Sequence, residues 1–338
     1  MRPILTFTTL LLATACGQAA DDPEFGSLRQ PIVNGEVSTS SDDSAVYLLT
    51  RPSQGDAVFC TGTVIAPNLV ATALHCVTHS TIGLFSCEPD GSLTAPDRAD
   101  GTIGRLVEPA EVSVYVGPSI VGAQPVTRGA RLLGTGSTQI CRGDLAFVIL
   151  EDPLDVPVSP VRISYGVEAG DFVRIVGYGE TETYGDSGRH VREGRRVIDV
   201  GPLSEDQPSI IASPRTFVVN EGPCHGDSGG PAFAEDTGAL VGVYSLAAGA
   251  TCTTVGVRNV YTHLSTFSSF VLDAFAAADA EPILDEPDAE PERPGVVAES
   301  GCSVVAPGAG GAQQSAPSAG LVALAALGAG LAFRRRHG

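Results

Sequence analysis

Nine short runs of β-favouring residues lie between turn signals over residues 32–278. Many short strands with few helical stretches favour an all-β fold, either an antiparallel barrel or a sandwich. The best helix candidate is Leu264–Ala278, whose apolar residues recur near helical spacing, and we expect it to pack one face onto the barrel. The predicted strands are Ala45–Thr50, Phe59–Ile65, Leu69–Ala73, Glu111–Val116, Leu145–Leu150, Phe172–Val176, Phe217–Val219, Leu240–Leu246 and Val255–Tyr261.

The N-terminal residues have the pattern of a bacterial export signal. A basic residue precedes the apolar run 4–13, which ends at small residues, so we predict a signal peptide over 1–16. Residues 14–17 resemble a lipobox, in which Cys16 is lipidated after cleavage. Ordinary signal cleavage without a lipid is the alternative. The polar residues 17–31 are predicted to be a pro-segment.

The C-terminal residues predict a linker and a sorting tail. Residues 279–300 are acidic and Pro-rich, which favours an extended linker. Residues 301–338 contain Cys302, a short apolar run and a terminal arginine cluster, and they resemble the Myxo-CTERM sorting signal. That resemblance implies cleavage near Cys302 and delivery to the cell surface, the outer envelope or the medium of a Gram-negative bacterium. A flexible alanine-rich tail is the alternative.

Charge and cysteine count limit the function classes. The net charge of −19 at pH 7 argues against nucleic acid and anionic membranes as partners, because cationic surfaces bind phosphates. We therefore expect membrane contact only through the terminal segments. Six of the eight cysteines lie in the body of the chain, an even number that is typical of an oxidised, exported protein. No CxxC pair is present, so we expect no metal and no cofactor.

The ten residues Gly-Pro-Cys-His-Gly-Asp-Ser-Gly-Gly-Pro, 222–231, combine four glycines with one central serine. Glycines allow a tight loop on which the Ser228 hydroxyl is exposed while nearby N–H groups converge. Acyl transfer needs that combination of a nucleophile and preorganised donors for the oxyanion. The alternative is a Gly-rich surface turn. The catalytic interpretation therefore requires a histidine base and a carboxylate elsewhere.

A histidine and an aspartate meet that requirement. His75 lies where the predicted strand 69–73 ends. Asp144 directly precedes the apolar run 145–150, and a carboxylate that enters a buried strand needs a partner. A histidine Nδ1–H would be that partner. The alternative for Asp144 is an ordinary turn residue.

The order His75, Asp144, Ser228, in the contexts TALHC, DLAFVIL and GDSGGP, resembles the chymotrypsin/trypsin family of serine endopeptidases. The resemblance covers about residues 32–276 and extends to Ile-Val-Asn-Gly at 32–35 and Gly-Tyr-Gly at 177–179. It implies two six-stranded antiparallel β-barrels followed by a C-terminal helix, within a protease domain over 32–278.

The resemblance also implies residue roles. Ser228 would attack the scissile carbonyl, His75 would accept its proton, and Asp144 would orient His75. The N–H groups of Gly226 and Ser228 would form the oxyanion hole. The substrate pocket would include Gly222, Ser245, Ala247 and Asn259, with Ser245 also supporting the aspartate. Because position 222 lacks a carboxylate, we expect a small-to-medium apolar or uncharged P1 residue rather than Arg or Lys.

Activation in the resembled family pairs a new N-terminal amine with the aspartate before the nucleophile, here Ile32 and Asp227. The precursor should then be nearly inactive. Pro31 departs from the family pattern, because trypsin-like activators cut after Arg or Lys and proline blocks many proteases. Cleavage before Ile32 therefore needs an unusual protease, or trimming from Arg29. The resemblance further implies the disulfides Cys60–Cys76 and Cys224–Cys252, which leaves Cys87 and Cys141 to each other.

These observations predict an exported serine endopeptidase made as a zymogen, and we expect a monomer. Its partners would be protein or peptide substrates, an activating protease, and the sorting and signal-processing peptidases. A catalytically silent homologue that acts as a surface binding module is the alternative, and a surface-tethered interaction protein is another.

Overall fold

A computed structural model of the chain describes residues 32, 35–53, 55–83, 85–95, 97, 99–179, 188–202, 211–220, 222–248 and 257–286. The predicted export signal with Cys16, the pro-segment, most of the linker and the sorting tail with Cys302 lie outside the described residues. Within the described part, twelve strands form two closed antiparallel barrels of six strands each.

The strands of the first barrel are β2 (Ala45–Thr50), β3 (Val58–Ala66), β4 (Leu69–Thr72), β7 (Val112–Tyr115), β8 (Thr127–Gly134) and β9 (Ala146–Leu150). The barrel closes in the order β2-β3-β4-β9-β8-β7. Val, Leu, Ile and Ala side chains from these strands fill its interior, and β2 and β9 are buried along their whole length.

The strands of the second barrel are β10 (Phe172–Gly177), β11 (His190–Val200), β12 (Thr216–Val219), β13 (Pro231–Ala234), β14 (Leu240–Ala248) and β15 (Arg258–His263). They pair in the order β11-β10-β13-β14-β15-β12, and a further pairing of β12 with β11 closes the barrel. The short strand β1 (Glu36–Val37) adds to the edge of β11, and β5 (Ser86–Cys87) pairs with β6 (Leu93–Thr94) outside both barrels.

All nine predicted strands are present, with ends shifted by up to three residues, and the predicted fold class is confirmed. Three barrel strands were missed. In β11, arginines at exposed and half-buried positions interrupt the apolar pattern. In β8, glycine and arginine do the same, and β13 is only four residues long and directly follows the Gly-rich loop.

The closing helix is shorter than predicted. Leu264–Phe267 forms a 3₁₀ turn, and the α-helix α1 follows over Ser268–Ala277. Its buried face is Val271, Ala274 and Phe275. The ring of Phe270 lies 5.2 Å from that of Phe147 on β9, so the helix packs against the first barrel. No helix among the described residues is long and apolar enough to cross a membrane.

Residues 279–286, which the sequence assigns to the linker, lie against Val161 and Arg162. We name them the C-terminal strap. The N–H of Val161 donates to the carbonyl of Ile283 at 2.8 Å, and the N–H of Asp285 donates to the carbonyl of Val161 at 3.0 Å. The Asp285 carboxylate also accepts the Nε–H of the buried Arg162 at 2.6 Å. The strap therefore supplies a buried arginine with one of its two carboxylate partners.

We predict that Asp285→Ala destabilises the fold by about 1–3 kcal/mol, because it leaves a buried guanidinium N–H without its partner. The free energy of unfolding in urea, measured on the full chain, checks the value. Glu281→Ala is the matched control, since Glu281 is an exposed carboxylate of the same strap. Equal effects of the two substitutions would contradict the structural role of Asp285.

Candidate active site

A buried aspartate holds a histidine at the end of the first barrel. Strand β4 ends at Thr72, and the 3₁₀ turn Leu74–Val77 that follows carries His75. The Asp144 carboxylate contacts His75 twice: Oδ2 lies 2.7 Å from the ring Nδ1, and Oδ1 accepts the backbone N–H at 2.9 Å. These two contacts fix both the position and the rotation of the imidazole.

Two residues of the second barrel complete the surroundings of Asp144. The Ser245 hydroxyl donates to Oδ2 at 2.6 Å, and the Thr262 hydroxyl donates to the Asp144 carbonyl at 3.1 Å. Asp144 is only 1% exposed, so these donors offset the loss of water around its charge. Asp144 is therefore bound by both barrels.

The carboxylate determines which ring nitrogen of His75 carries the proton. An ionised carboxylate only accepts hydrogen bonds, so Nδ1 is the donor and the neutral ring keeps Nε2 free to accept a proton. Nε2 lies 3.8 Å from the Cys76 sulfur, and His75 lines an open cavity. The arrangement presents a base to the cavity.

The loop that carries Ser228 requires glycine at particular positions. Gly226 has φ of +96° and Gly229 has φ of +81°, both in the region that favours glycine. A Cβ on Gly229 would lie 2.1 Å from the Thr72 hydroxyl. The loop is fixed from β3, whose Thr61 N–H donates to the Ser228 carbonyl at 2.7 Å.

Ser228 and His75 line the same cavity, of about 560 Å³. In the described part of the chain the Ser228 hydroxyl makes no hydrogen bond to His75, a common state of catalytic pairs without substrate. The other lining residues are Tyr47, Ala57, Val58, Phe59, Cys60, Ser80, Ile82, Ile120, Tyr178, His225 and Gly226. The cavity thus brings a hydroxyl, an imidazole and the backbone of Gly226 to one wall.

Disulfides brace this end of the molecule. Cys60 bonds to Cys76 beside His75, and Cys87 bonds to Cys141 shortly before Asp144. Cys224 is also in a disulfide. Its expected partner Cys252 lies outside the described residues.

Asp227 is buried without a cation among the described residues. Its Oδ1 accepts the Gly179 N–H at 2.7 Å and its Oδ2 accepts the Cys224 N–H at 2.8 Å. Burial raises the pKa of Asp227 to about 7, although these two bonds oppose the shift. The carboxyl is a ready site for a buried positive charge.

Ile32 lies in the core of the second barrel, packed in the same cluster as Val173 and Ile175. It is 1% exposed, and its φ is +52°. That backbone conformation is sterically unfavourable for a β-branched side chain. Its nitrogen is in a peptide bond to Pro31 in the unprocessed chain, so it carries no charge to pair with Asp227.

Two of the expected pocket residues are paired across neighbouring strands, and Gly222 lies against β10. Ala247 and Asn259 are cross-strand partners on β14 and β15. The Asn259 amide is buried, donates to the Asn220 carbonyl at 3.0 Å and accepts from the Tyr244 hydroxyl at 3.4 Å. Gly222 packs against Ile175 instead, where an added Cβ would lie 2.5 Å from Cδ1.

One cluster of potential metal ligands occurs among the described residues: Cys60, His75 and Cys76. Both sulfurs belong to a disulfide, so neither is available as a thiolate. The donor set does not fit a metal ion.

Sequence analysis missed three contributors to the site. Thr262 bonds Asp144, Thr61 bonds the loop around Ser228, and the Tyr178 ring lines the cavity. Tyr178 carried a signal as the middle residue of Gly-Tyr-Gly, and Thr262 carried one as the last residue of Val-Tyr-Thr, which also matches the resembled family. Thr61 lies in an ordinary β-run and comes near the site only through the barrel pairing.

The chain is similar in sequence to known trypsin-type proteins. The sequence model of the family described as Trypsin matches residues 32–271. A serine protease of Anopheles gambiae, SP24D, is 28% identical over 67% of this chain and 74% of its own length. A trypsin of Saccharopolyspora erythraea is 26% identical over 73% of this chain and 99% of its own length.

Solved structures show the same fold at low identity. HL collagenase has a TM-score of 0.53 and 19% identity, covering 72% of this chain and 99% of its own. A scabies mite inactivated protease paralogue has a TM-score of 0.52 and 18% identity, with the same coverage. At these identities the likeness concerns the fold alone.

Proposed function

Because the chain belongs to the trypsin family of serine proteases, we propose that it hydrolyses peptide bonds by acyl transfer to Ser228. One observation carries the proposal: Asp144 holds His75 at a cavity wall that also carries Ser228. Proteins or peptides are the substrates that the family implies.

In the proposed reaction, Ser228 Oγ bonds to the scissile carbonyl carbon while His75 Nε2 takes the hydroxyl proton. The carbonyl oxygen becomes an oxyanion, and the N–H groups of Gly226 and Ser228 stabilise it, each typically by about 3 kcal/mol. Nε2 then gives the proton to the amine as the carbon–nitrogen bond breaks. Water hydrolyses the acyl-enzyme by the same steps, and Asp144 stabilises the imidazolium in both halves.

We propose activation by cleavage before Ile32, with the new ammonium pairing with Asp227. Two observations support it. Asp227 is a buried carboxylate with no cation among the described residues. The strain at Ile32, of order 1–3 kcal/mol, disappears when the preceding carbonyl is removed, because the clash that disfavours positive φ involves that carbonyl.

The proposed P1 residue is apolar or uncharged. Arg and Lys need a carboxylate in the pocket, and Gly222 and Asn259 supply none. Asp227 is unsuited to that role, since it is buried and both its oxygens already bond to backbone N–H groups. Export, terminal processing at Cys16 and Cys302, and the activating and sorting peptidases remain part of the proposal.

We expect a fluorophosphonate probe to label the protein covalently once it has been cleaved before Ile32, with a bond between Ser228 Oγ and phosphorus replacing the phosphorus–fluorine bond. Ser228→Ala should abolish labelling, and His75→Ala should slow it by roughly a thousandfold. Ser80→Ala is the matched control, a hydroxyl that lines the same cavity and should leave the rate unchanged. Labelling that survives Ser228→Ala, or a folded protein with a free Ile32 amine that takes no label, would favour the silent homologue.

We expect activation to depend on the amine of Ile32. Pro31→Arg lets immobilised trypsin cut before Ile32, and N-terminal sequencing verifies the cut. The labelling rate should rise at least tenfold after cleavage, and Asp227→Asn should cancel the rise. Pro31→Gly, treated alike, is the control in which trypsin can cut after Arg29 but leaves Ile32 in a peptide bond. An equal rate before and after verified cleavage would contradict the ion pair.

The pH dependence of stability should differ between the two forms. In the precursor the folded-state pKa of Asp227, about 7, exceeds its unfolded value, so its contribution to stability is present below about pH 4 and lost as the pH rises through 7. In the cleaved form the ammonium favours the ionised carboxyl, and this loss should disappear. Unfolding free energies of both forms, each compared with Asp227→Asn, isolate the effect of this group.

We expect a peptide library to be cleaved mainly after small-to-medium apolar or uncharged residues. The protein carrying Ser228→Ala, purified in the same way, shows whether contaminating proteases contribute. Dominant cleavage after Arg or Lys by the wild-type protein alone would overturn the proposed specificity and leave the reaction class standing.

A further inference from the structure

Arg189 is the bulkiest of the fully buried side chains in the described part of the chain. Burying an unpaired guanidinium costs several kcal/mol, so such a residue needs acceptors for its donors. All five of its N–H groups have one. The acceptors are the Ser38 hydroxyl (2.9 Å), the Ala45 carbonyl (3.0 Å), the Tyr178 hydroxyl (3.4 Å), the Thr39 carbonyl and the Asp43 carboxylate (2.6 Å).

Four of the five acceptors belong to residues 38–45, which we name the N-terminal segment. This segment follows Ile32 closely in the chain. The backbone reinforces the contact, because the Ser38 N–H donates to the Arg189 carbonyl at 3.0 Å. A second ion pair, between Asp42 and Arg174 on β10, fastens the same segment. Arg189 therefore docks the N-terminal segment onto the second barrel in the uncleaved chain.

The fifth acceptor connects Arg189 to the active-site cavity. The Tyr178 hydroxyl accepts from Arg189 and donates to the Gly117 carbonyl at 2.7 Å. The Tyr178 ring packs edge-on against Tyr47 at 5.6 Å, and both rings line the cavity. The hydroxyl end of Tyr178 is thus held by a buried cation, and the ring faces the place where substrate binds.

The backbone of Tyr178 contacts the loop that carries Ser228. Its N–H donates to the Thr61 hydroxyl at 3.1 Å, and that hydroxyl donates to the Gly226 carbonyl at 3.0 Å. The next N–H, of Gly179, bonds the Asp227 carboxylate. The two backbones touch, since a Cβ on Gly226 would lie 2.9 Å from the Gly179 Cα. A shift of Tyr178 would therefore move the oxyanion-binding residues.

We propose that Arg189 is a positioning residue for acyl transfer. It holds Tyr178, and through Thr61 and Gly179 it holds Gly226 and Asp227 in the arrangement that binds the oxyanion. It also couples this arrangement to the N-terminal segment before any cleavage occurs. The inference rests on the proposed function, because it concerns the geometry of the same reaction.

Arg162 offers a comparison within the same molecule. It is also buried and also bound to carboxylates, Asp285 and Asp236. Its remaining side-chain hydrogen bond among the described residues goes to Thr237, and its guanidinium lies over the Tyr165 ring. Its hydrogen bonds therefore run to the turn after β13 and to the C-terminal strap. A variant at Arg162 should lose stability as a variant at Arg189 does, with no path to the Ser228 loop.

The test is the fluorophosphonate labelling rate per folded molecule of the full-length Pro31→Arg protein after verified cleavage before Ile32, with the folded fraction measured by circular dichroism at a temperature below each variant's Tm. We expect Arg189→Met to slow labelling at least tenfold and Arg189→Lys, which restores a charge and part of the donors, to recover part of the loss. Arg162→Met should lower the Tm comparably and leave the rate within twofold. With a peptide substrate, Arg189→Met should lower kcat and leave KM nearly unchanged, because the oxyanion forms only in the reaction.

Tyr178→Phe keeps the ring and removes the hydroxyl, so it tests the same connection if Arg189→Met does not fold. We expect it to slow labelling severalfold and to add nothing further in the Arg189→Lys background. An unchanged rate in Arg189→Met, or in Tyr178→Phe when the first variant is unfolded, would overturn the inference alone. A folded protein with a free Ile32 amine and an unsubstituted site that takes no label would overturn both this inference and the proposed function.

Discussion

The buried carboxylate of Asp144 is the interaction on which the site depends. Its charge lies where the two barrels meet, and water is replaced by donors from both: His75 from the first barrel and Ser245 from the second. If the barrels moved apart, this carboxylate would stay buried and lose part of its hydrogen bonds, which would destabilise the fold. The orientation of the His75 imidazole therefore depends on how the two barrels pack against each other.

Two more buried ionisable side chains, Asp227 and Arg189, are also surrounded by hydrogen-bond partners that replace water. Asp227 is bonded by backbone N–H groups, and Arg189 by hydroxyl, carbonyl and carboxylate oxygens. Each collects partners from segments far apart in the sequence. The contacts of Arg189 and Asp227 form a series from the N-terminal segment through Tyr178 to the Ser228 loop, and this series supports the coupling that we propose between the N-terminus and the reaction.

The fold and the central residues of the site could be predicted because their signals are local. A buried strand such as Ala45–Thr50 is a continuous apolar run, and Asp144 stands directly before another. Strand β11 escaped prediction because its exposed arginines hide the alternation. Arg189 and Thr61 could not be assigned roles, since their partners lie up to 165 residues away in the chain and meet only after both barrels close.

The C-terminal strap limits where the tail could be removed without loss to the fold. Within the described part of the chain, the strap's last anchoring contact is Asp285 on Arg162. A cut before Ile283 would remove the strap's two backbone hydrogen bonds to Val161 together with one carboxylate partner of Arg162. A cut downstream of Asp285 would leave all three contacts in place, so one carboxylate marks how much of the C-terminus the fold needs for this anchor.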